Sequence, residues 1–329
     1  MSKFSALQAR ESAAGGFEQV IVQRDIDDLP AGELLIRVKY SSLNYKDALS
    51  ASGNRGVTKS FPHTPGIDAA GVVEASSVAE FSAGDEVIVT GYDLGMNTSG
   101  GLAQYIRIPA SWALKRPKGL SLREAMVLGT AGLTAALCVD KLEQSGLTPD
   151  AGTVLVTGAT GGVGSVAVAL LTTLGYRVAA STGKAEQADY LKALGAQQIV
   201  LRAELQDGTD KPMLKEQWAG AVDCVGGDIL FNVVKSLRYG ASVACCGLTA
   251  GVGFKGIVLP FILRGVNLLG VDSVELPLVV KASMWDKLSL QWKVKLDALV
   301  TEVTLEQLPD AIAQILAGKQ VGRVLVNLG

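Results

Sequence analysis

Four hydrogen-bonding side chains stand together at Asn44-Tyr45-Lys46-Asp47, and a second chemical cluster occupies the glycine-rich stretch from Gly158 to Gly164. An amide beside a phenol can orient a carbonyl compound and donate hydrogen bonds to charge that develops on its oxygen. Tyr45 could also deliver a proton, although water can do the same. Lys46 and Asp47 have a plainer reading, a helix-entry pair that faces solvent or fixes the loop. In the second cluster, Ala159-Thr160-Gly161-Gly162-Val163-Gly164 follows the pattern G-x-G-x-x-G, with alanine in the first position. Gly161 lets the backbone approach a pyrophosphate, Gly164 lets a helix pack closely on a strand, and the helix N-terminus offers free N–H groups. The same residues could form a tight strand-to-helix turn with no ligand. Their place, directly after the apolar run "TVLVTG" and at the head of a series of strand–helix units, favours a dinucleotide.

The next strand identifies the dinucleotide. It ends "VAASTGKAE", where an NAD site carries a carboxylate roughly 20 residues after the glycines to hold the ribose hydroxyls. Here Ser181, Thr182, Gly183 and Lys184 come first, and the nearest acid, Glu186, falls in the following helix. Hydroxyls with a cation suit a 2′-phosphate, so the expected cofactor is NADPH. Arg202, just past the third strand, can add a second cation. The alternative for Lys184 is a solvated residue at a helix start.

These clusters must be held by two kinds of element. Up to about residue 125 the sequence runs in short β-rich segments ("GFEQVIVQRDI", "GELLIRVKY", "GIDAAGVVEAS", "AGDEVIVTG", "GLAQYIRIP") broken by Gly-Asp, Pro and Gly-Gly turns. That pattern predicts a mostly antiparallel, barrel-like domain. "SLREAMVLGTAGLTAALCVDKLEQSG" then has helical spacing, with Ser121 and Glu124 as a capping box. After it, near-continuous apolar strands alternate with amphipathic helices, the signature of a doubly wound parallel sheet, with "NLLGVDS" as its sixth strand. Helical material is expected from about Leu278 to Leu299, then a helix and a terminal strand.

Length and composition agree with a two-domain α/β protein. The chain has 329 residues, 48% of them apolar and 19% charged, with a net charge of −2. With 5% aromatics and no long basic run, nothing supports a nucleic-acid partner. The first residues lack the apolar core of a signal peptide and no uninterrupted apolar stretch approaches a membrane span, so a cytoplasmic protein is expected. Its four cysteines, Cys138, Cys224, Cys245 and Cys246, then read as reduced thiols.

"SLNYKD", "PGIDAAG", "GTAGLTA", "VTGATGGVGS", "PFILRGVNLLGVDS" and "GRVLV" together resemble the zinc-free quinone-oxidoreductase branch of the medium-chain dehydrogenase/reductase superfamily, and more narrowly its acryloyl-CoA reductases. The likeness spans essentially the whole chain. It implies a GroES-like β-barrel catalytic domain at 1–125, completed by about 275–329, and an NADPH-binding Rossmann domain at 126–274. The zinc enzymes of the superfamily carry Gly-His-Glu where this chain has Gly66-Ile67-Asp68. The only histidine is His63 and no cysteine precedes Cys138, so no zinc set can be assembled there. Asp68 reads as a hydrogen-bonding residue.

By the same resemblance, Asn44 and Tyr45 are the catalytic polar pair, beside the nicotinamide. Thr160, Gly161, Gly162, Val163 and Gly164 hold the pyrophosphate, while Thr182, Gly183, Lys184 and Arg202 hold the adenosine phosphate. Leu248, Ile262 and Ser273 lie along the nicotinamide half, with Arg323 near the cleft, although Ile262 reads equally well as core packing. The loop "GYDLGMNTSGGL" departs from the family pattern at Thr98-Ser99. Lys46, Arg55, Lys59 and Arg264 could contact the phosphates of a CoA ester, but each reads first as an ordinary surface charge. The implied reaction is NADPH-dependent reduction of a small enoyl-CoA, with a quinone as the rival substrate and a non-catalytic NADPH sensor as the rival of another class. An exposed sixth strand would pair with its copy in a homodimer.

Overall fold

Alternating apolar residues at one end of the chain and continuous apolar runs in its middle give two different sheets. The computed structural model describes residues 3–295 and 297–329. Two units result: Met1–Thr130 with Val274–Ser289 and Leu299–Gly329, and Ala131–Ser273 with Leu290–Ala298.

The first unit begins with an antiparallel hairpin of β1 (Lys3–Glu11) and β2 (Phe17–Asp25). Strand β3 (Leu34–Leu43) buries Leu34, Ile36 and Val38 on one face, as period-two alternation requires. A short helix α1 (Tyr45–Ala51) follows, then β4 (Asp68–Ser76), β5 (Glu86–Thr90), β6 (Tyr105–Ile108) and β7 (Ala113–Lys115). Strand β3 pairs antiparallel with both β4 and β6. Helix α2 (Leu122–Gln144) starts at the expected capping box, where the Glu124 carboxylate accepts from the Ser121 N–H and the Ser121 hydroxyl accepts from the Glu124 N–H. It is broken at Gly129, whose φ of 52° and ψ of −155° no helix permits. Among the described residues α2 alone is long and apolar enough to cross a membrane, and 89% of its apolar window is buried inside the protein.

The second unit alternates strand and helix: β8 (Thr153–Val156), α3 (Gly162–Thr173), β9 (Arg177–Thr182), α4 (Ala188–Ala193), β10 (Gln198–Leu201), β11 (Gly220–Asp223), α5 (Gly227–Ser236), β12 (Ser242–Cys245), α6 (Leu259–Arg264) and β13 (Asn267–Gly270). All six strands are parallel in the order β10-β9-β8-β11-β12-β13. Counted within the unit this is 3-2-1-4-5-6, the doubly wound order that reverses direction beside the first strand. Leu155, Ala179, Ala221 and Val243 fill the sheet core against Val233 and Val234 of α5 and Leu237 just after it.

The chain then returns to the first unit. Helix α7 (Leu278–Ser289) stops ten residues short of the expected Leu299, because Leu290–Ala298 pass to the second unit. Its Lys281, 1% exposed, is tied to the barrel: Nζ donates to the Thr90 and Val274 carbonyls at 2.6 and 2.8 Å and lies 3.4 Å from the Tyr92 ring centroid. Last come β14 (Val300–Val303), α8 (Leu308–Leu316) and β15 (Arg323–Asn327). Strand β15 pairs parallel with β14 and antiparallel with β3, so Val324 lies opposite Leu43. Apart from that parallel pair the sheet β14-β15-β3-β4-β5-β7 is antiparallel, as the barrel reading requires.

Gly164 has the role its spacing predicted. A Cβ there would lie 2.3 Å from the Gly158 carbonyl oxygen and 2.8 Å from the Ala159 Cα, both backbone atoms with little room to yield. Gly164→Ala is therefore expected to cost on the order of 1–3 kcal/mol by overpacking. A thermal unfolding scan with an unshifted midpoint would contradict that close packing.

Candidate active site

The polar cluster of the first unit grows from a break in the apolar pattern of β3. Ser41 and Ser42 are both fully buried, and buried hydroxyls require partners. Both find Asp68, the first residue of β4. Ser41 donates to its carbonyl oxygen at 2.8 Å, and Ser42 to its carboxylate at 2.5 Å. The carboxylate also accepts from the Asn44 amide at 2.8 Å, from the Thr130 hydroxyl at 2.6 Å, and from the Thr130 N–H at 2.9 and 3.1 Å. Asp68 is thus the hydrogen-bonding residue its sequence context indicated.

A cation closes this cluster. Arg323 is 2% exposed; its Nη2 donates to Ser42 Oγ at 2.9 Å, Nη1 to Asn44 Oδ1 at 3.4 Å and Nε to the Val127 carbonyl at 2.9 Å. Burial lowers its pKa, and the charges of Asp68 and Asp47 oppose that shift. Ser42 and Asn44 each bridge cation and carboxylate, and the bridge fixes which way the Asn44 amide points. Gly129 is needed here as well. Beyond its positive φ, a Cβ would lie 2.5 Å from Ser42 Oγ and 2.6 Å from Asp68 Oδ2.

Asp47 secures the loop from inside and does not face solvent. It is fully buried, and it accepts the Asn44 N–H at 2.8 Å and the Ile67 N–H at 2.9 Å. Burial first, then the Asp68 charge, push its pKa up to about 7, against the hydrogen bonds it accepts. Tyr45, the first residue of α1, is 41% exposed. Lys46 is half-buried, with Nζ 3.9 Å from the Met96 sulfur. The loop with Thr98-Ser99 is tied by its own polar groups, Thr98 donating to Asp93 and Ser99 accepting from Arg24.

A second cluster, in the second unit, lies at the ends of β8, β9 and β10. Gly161, in extended conformation, precedes α3, and no side chain caps that helix. Gly161, Gly162 and Val163 are half-exposed, and the first turn contains no acid. Thr160 lies with its hydroxyl oxygen 3.4 Å from that of Thr182, which in turn accepts the Lys184 N–H at 2.9 Å. Where a Gly183 side chain would stand lies the Arg202 guanidinium, its carbon 2.8 Å from the ideal Cβ position. Lys184 has its pKa lowered by burial and by the Arg202 charge, while Glu186 opposes. Two cations, two hydroxyls and a bare glycine therefore share one corner.

The remaining expected residues fall differently. Leu248 is 53% exposed and Ile262, on α6, is 69% exposed, so Ile262 is not core packing. Ser273 is buried, its hydroxyl oxygen 2.7 Å from that of Thr134. Arg264 is not a plain surface charge: it donates to the Lys235, Leu237 and Leu214 carbonyls and pairs with Glu216. Arg55 pairs with Glu11 at the surface. The residues not singled out in the sequence are Ser42, Gly129 and Thr130, whose signal was a pair of serines in an apolar strand and a glycine in a helical run.

The family model described as the alcohol dehydrogenase GroES-like domain matches residues 30–118, and that described as zinc-binding dehydrogenase matches residues 162–289. The chain is 49% identical, over 99% of both sequences, to a Bacillus subtilis protein named "Putative quinone oxidoreductase YhfP". It is 46% identical, also over 99% of both, to the acrylyl-CoA reductase AcuI of Ruegeria pomeroyi. The chain belongs to the zinc-free quinone-oxidoreductase branch of the medium-chain dehydrogenase/reductase superfamily. A solved member, the YhdH oxidoreductase of Salmonella enterica in complex with NADP, is 43% identical with a TM-score of 0.96 over 99% of this chain and 100% of that one.

The raised pKa of Asp47 has a stability consequence. Between the ordinary 3.8 and about 7 the folded protein holds a proton that the unfolded chain releases. Asp47 therefore costs nothing at acid pH, and its cost grows as pH rises to about 7, reaching on the order of 4 kcal/mol above it. Asp47→Asn removes that cost while losing one acceptor. The melting temperature of Asp47→Asn minus that of the wild type is expected to rise from pH 5 to pH 8, and a flat difference would refute the shift. Arg323→Met, which strands two buried carboxylates, is expected to destabilise by about 3–5 kcal/mol in denaturant titration.

Proposed function

We propose that the protein is an NADPH-dependent reductase that saturates the activated C=C bond of a small α,β-unsaturated acyl-CoA, of the acryloyl-CoA to propionyl-CoA type. The observation that carries this reading is the 46% identity, over essentially both whole chains, to a protein named acrylyl-CoA reductase. The nucleotide half fits the cofactor. The uncapped first turn of α3 at Thr160, Gly161, Gly162, Val163 and Gly164 offers N–H groups to a pyrophosphate. Thr182, Gly183, Lys184 and Arg202 make the corner for a 2′-phosphate, because two cations drawn this close gain from a shared anion. Leu248, Ile262 and Ser273 serve the nicotinamide half.

NADPH, when bound, supplies the hydride for the β-carbon of the enoyl group. The chain's own residues handle the charge that then appears on the thioester oxygen. Tyr45 is the exposed donor that contacts substrate and stabilises the enolate oxygen. Asn44, its amide engaged by Asp68 and Arg323, holds the turn from which Tyr45 projects. Arg323 acts from behind Asn44. The α-carbon receives its proton from water or from Tyr45. A quinone is the second reading, favoured by the 49% identity to YhfP, since its carbonyl can receive the same electrons.

The deciding assay is NADPH consumption by the purified protein with acryloyl-CoA beside a simple quinone, and NADH as the control. Saturable turnover of the CoA ester is expected, and turnover of the quinone alone would replace this substrate with the rival. Tyr45→Phe is expected to lower kcat more than it raises KM. Lys184→Ala or Arg202→Ala should weaken NADPH binding about 10- to 100-fold, the worth of a charge-assisted contact, and leave NADH unchanged. Equal losses for both cofactors would remove these two residues from the phosphate. We also infer a homodimer through β13, an edge strand with Asn267 and Gly270 exposed; a monomer in light scattering at micromolar concentration would exclude it.

A further inference from the structure

All four cysteines of the chain lie in the second unit, and three of them converge at the carboxyl edge of its sheet. Strands β11 and β12 end side by side, with Asp223 opposite Cys245, so Cys224 and Cys246 form the next rung. The Cys246 N–H donates to the Asp223 carbonyl at 2.9 Å, which continues the ladder to that rung. Gly247 presses so closely on the same segment that a Cβ would lie 2.0 Å from the Cys224 carbonyl oxygen. The two backbones are therefore fixed in register, and the sulfurs of Cys224 and Cys246 stand 3.9 Å apart.

Neighbouring strands lie about 4.8 Å apart, within the roughly 4.4–6.8 Å between Cα atoms that a disulfide spans. Bringing the sulfurs to bonding distance requires side-chain rotation and little backbone movement. Cys224 and Cys246 are half-buried, whereas Cys138, on α2, is buried. We propose that Cys224 and Cys246 are a reversible oxidation site of this protein, closed to a disulfide by a hydroperoxide and reopened by a dithiol.

The chemistry balances with these two residues and one peroxide. The Cys246 thiolate attacks the distal peroxide oxygen, the O–O bond breaks, and an alcohol or water leaves with the proton, giving a sulfenic acid. The Cys224 sulfur then attacks that sulfur, the S–S bond forms, and the hydroxyl leaves as water. Two thiols are oxidised by two electrons and one hydroperoxide is reduced. The surroundings favour Cys246 as the attacking sulfur: the hydrogen bonds it shares with the Cys138 and Cys224 thiols hold its pKa well below the ordinary value, while theirs are pushed well above it.

The test is independent of the proposed reductase activity. Reduced full-length protein is treated with stoichiometric hydrogen peroxide at neutral pH, alkylated, digested without reduction and mapped by mass spectrometry. A cross-linked peptide joining Cys224 and Cys246 is expected, reversed by dithiothreitol and formed about tenfold faster than in urea-unfolded protein. Cys246→Ser should abolish it, and Cys224→Ser should leave Cys246 as a sulfenic acid trapped by dimedone. The proposal is overturned if both thiols remain alkylatable, if the bond runs through Cys138 or between two chains, or if it forms no faster in the folded protein.

Discussion

The barrel half of this molecule depends on one buried pair of opposite charges that are joined only through intermediaries. Asp68 and Arg323 share Ser42 and Asn44, each of which touches both. Taking two charges out of water costs several kcal/mol apiece, and attraction repays it only when the remaining donors and acceptors are filled. Here they are filled from five places in the chain: β3, the turn before α1, β4, the break in α2 and β15. The consequence is rigidity where it matters. Asn44 cannot turn its amide over without facing carbonyl oxygen to carboxylate and amide to guanidinium, so the residue before Tyr45 is fixed.

That constraint propagates outward. Thr130 can donate both its N–H and its hydroxyl to Asp68 because α2 is interrupted one residue earlier, and the interruption needs a residue without a side chain. Strand β15 must pair with β3 in a register that puts Val324 against Leu43, or Arg323 would miss Ser42. A one-residue slip would turn Arg323 to the other face of the sheet. Sheet register and site geometry are thus the same fact.

Much of this fold was legible in the sequence because its signals are local. Period-two alternation in β3, apolar runs in β8 to β12, and glycines at a strand-to-helix turn each concern a few neighbouring residues. The corner of Thr182, Gly183 and Lys184 was nearly as readable as a cluster, since the three are consecutive; only the approach of Arg202 needed the pairing of β9 with β10. The Asp68 cluster was not readable as a cluster. Ser42 and Arg323 are 281 residues apart, and nothing in either segment announces the other. Gly129 hid inside a run with good helical spacing, and for Asp47 the sequence left open whether a helix-entry residue faces solvent or fixes the loop, because burial is a property of the assembled unit. The overlong helix after Leu278 has a related cause: spacing cannot show where a chain crosses from one unit to the other.

The character of the barrel half follows from how its donors are spent. Asp68 accepts from Ser42, Asn44 and both donors of Thr130, so its oxygens face inward and the chemistry in front of it must come from hydrogen-bond donors. A phenol held by a fixed backbone can stabilise an oxyanion conjugated with a carbonyl, where the charge is already delocalised. It is less suited to a localised alkoxide, which demands more stabilisation than one neutral donor provides. The charged groups of the unit do not supply that stabilisation directly, since Arg323 is committed to Ser42, Asn44 and the Val127 carbonyl. On the proposed reading they act one layer back, as the frame that makes a single neutral donor sufficient for an electron-poor double bond.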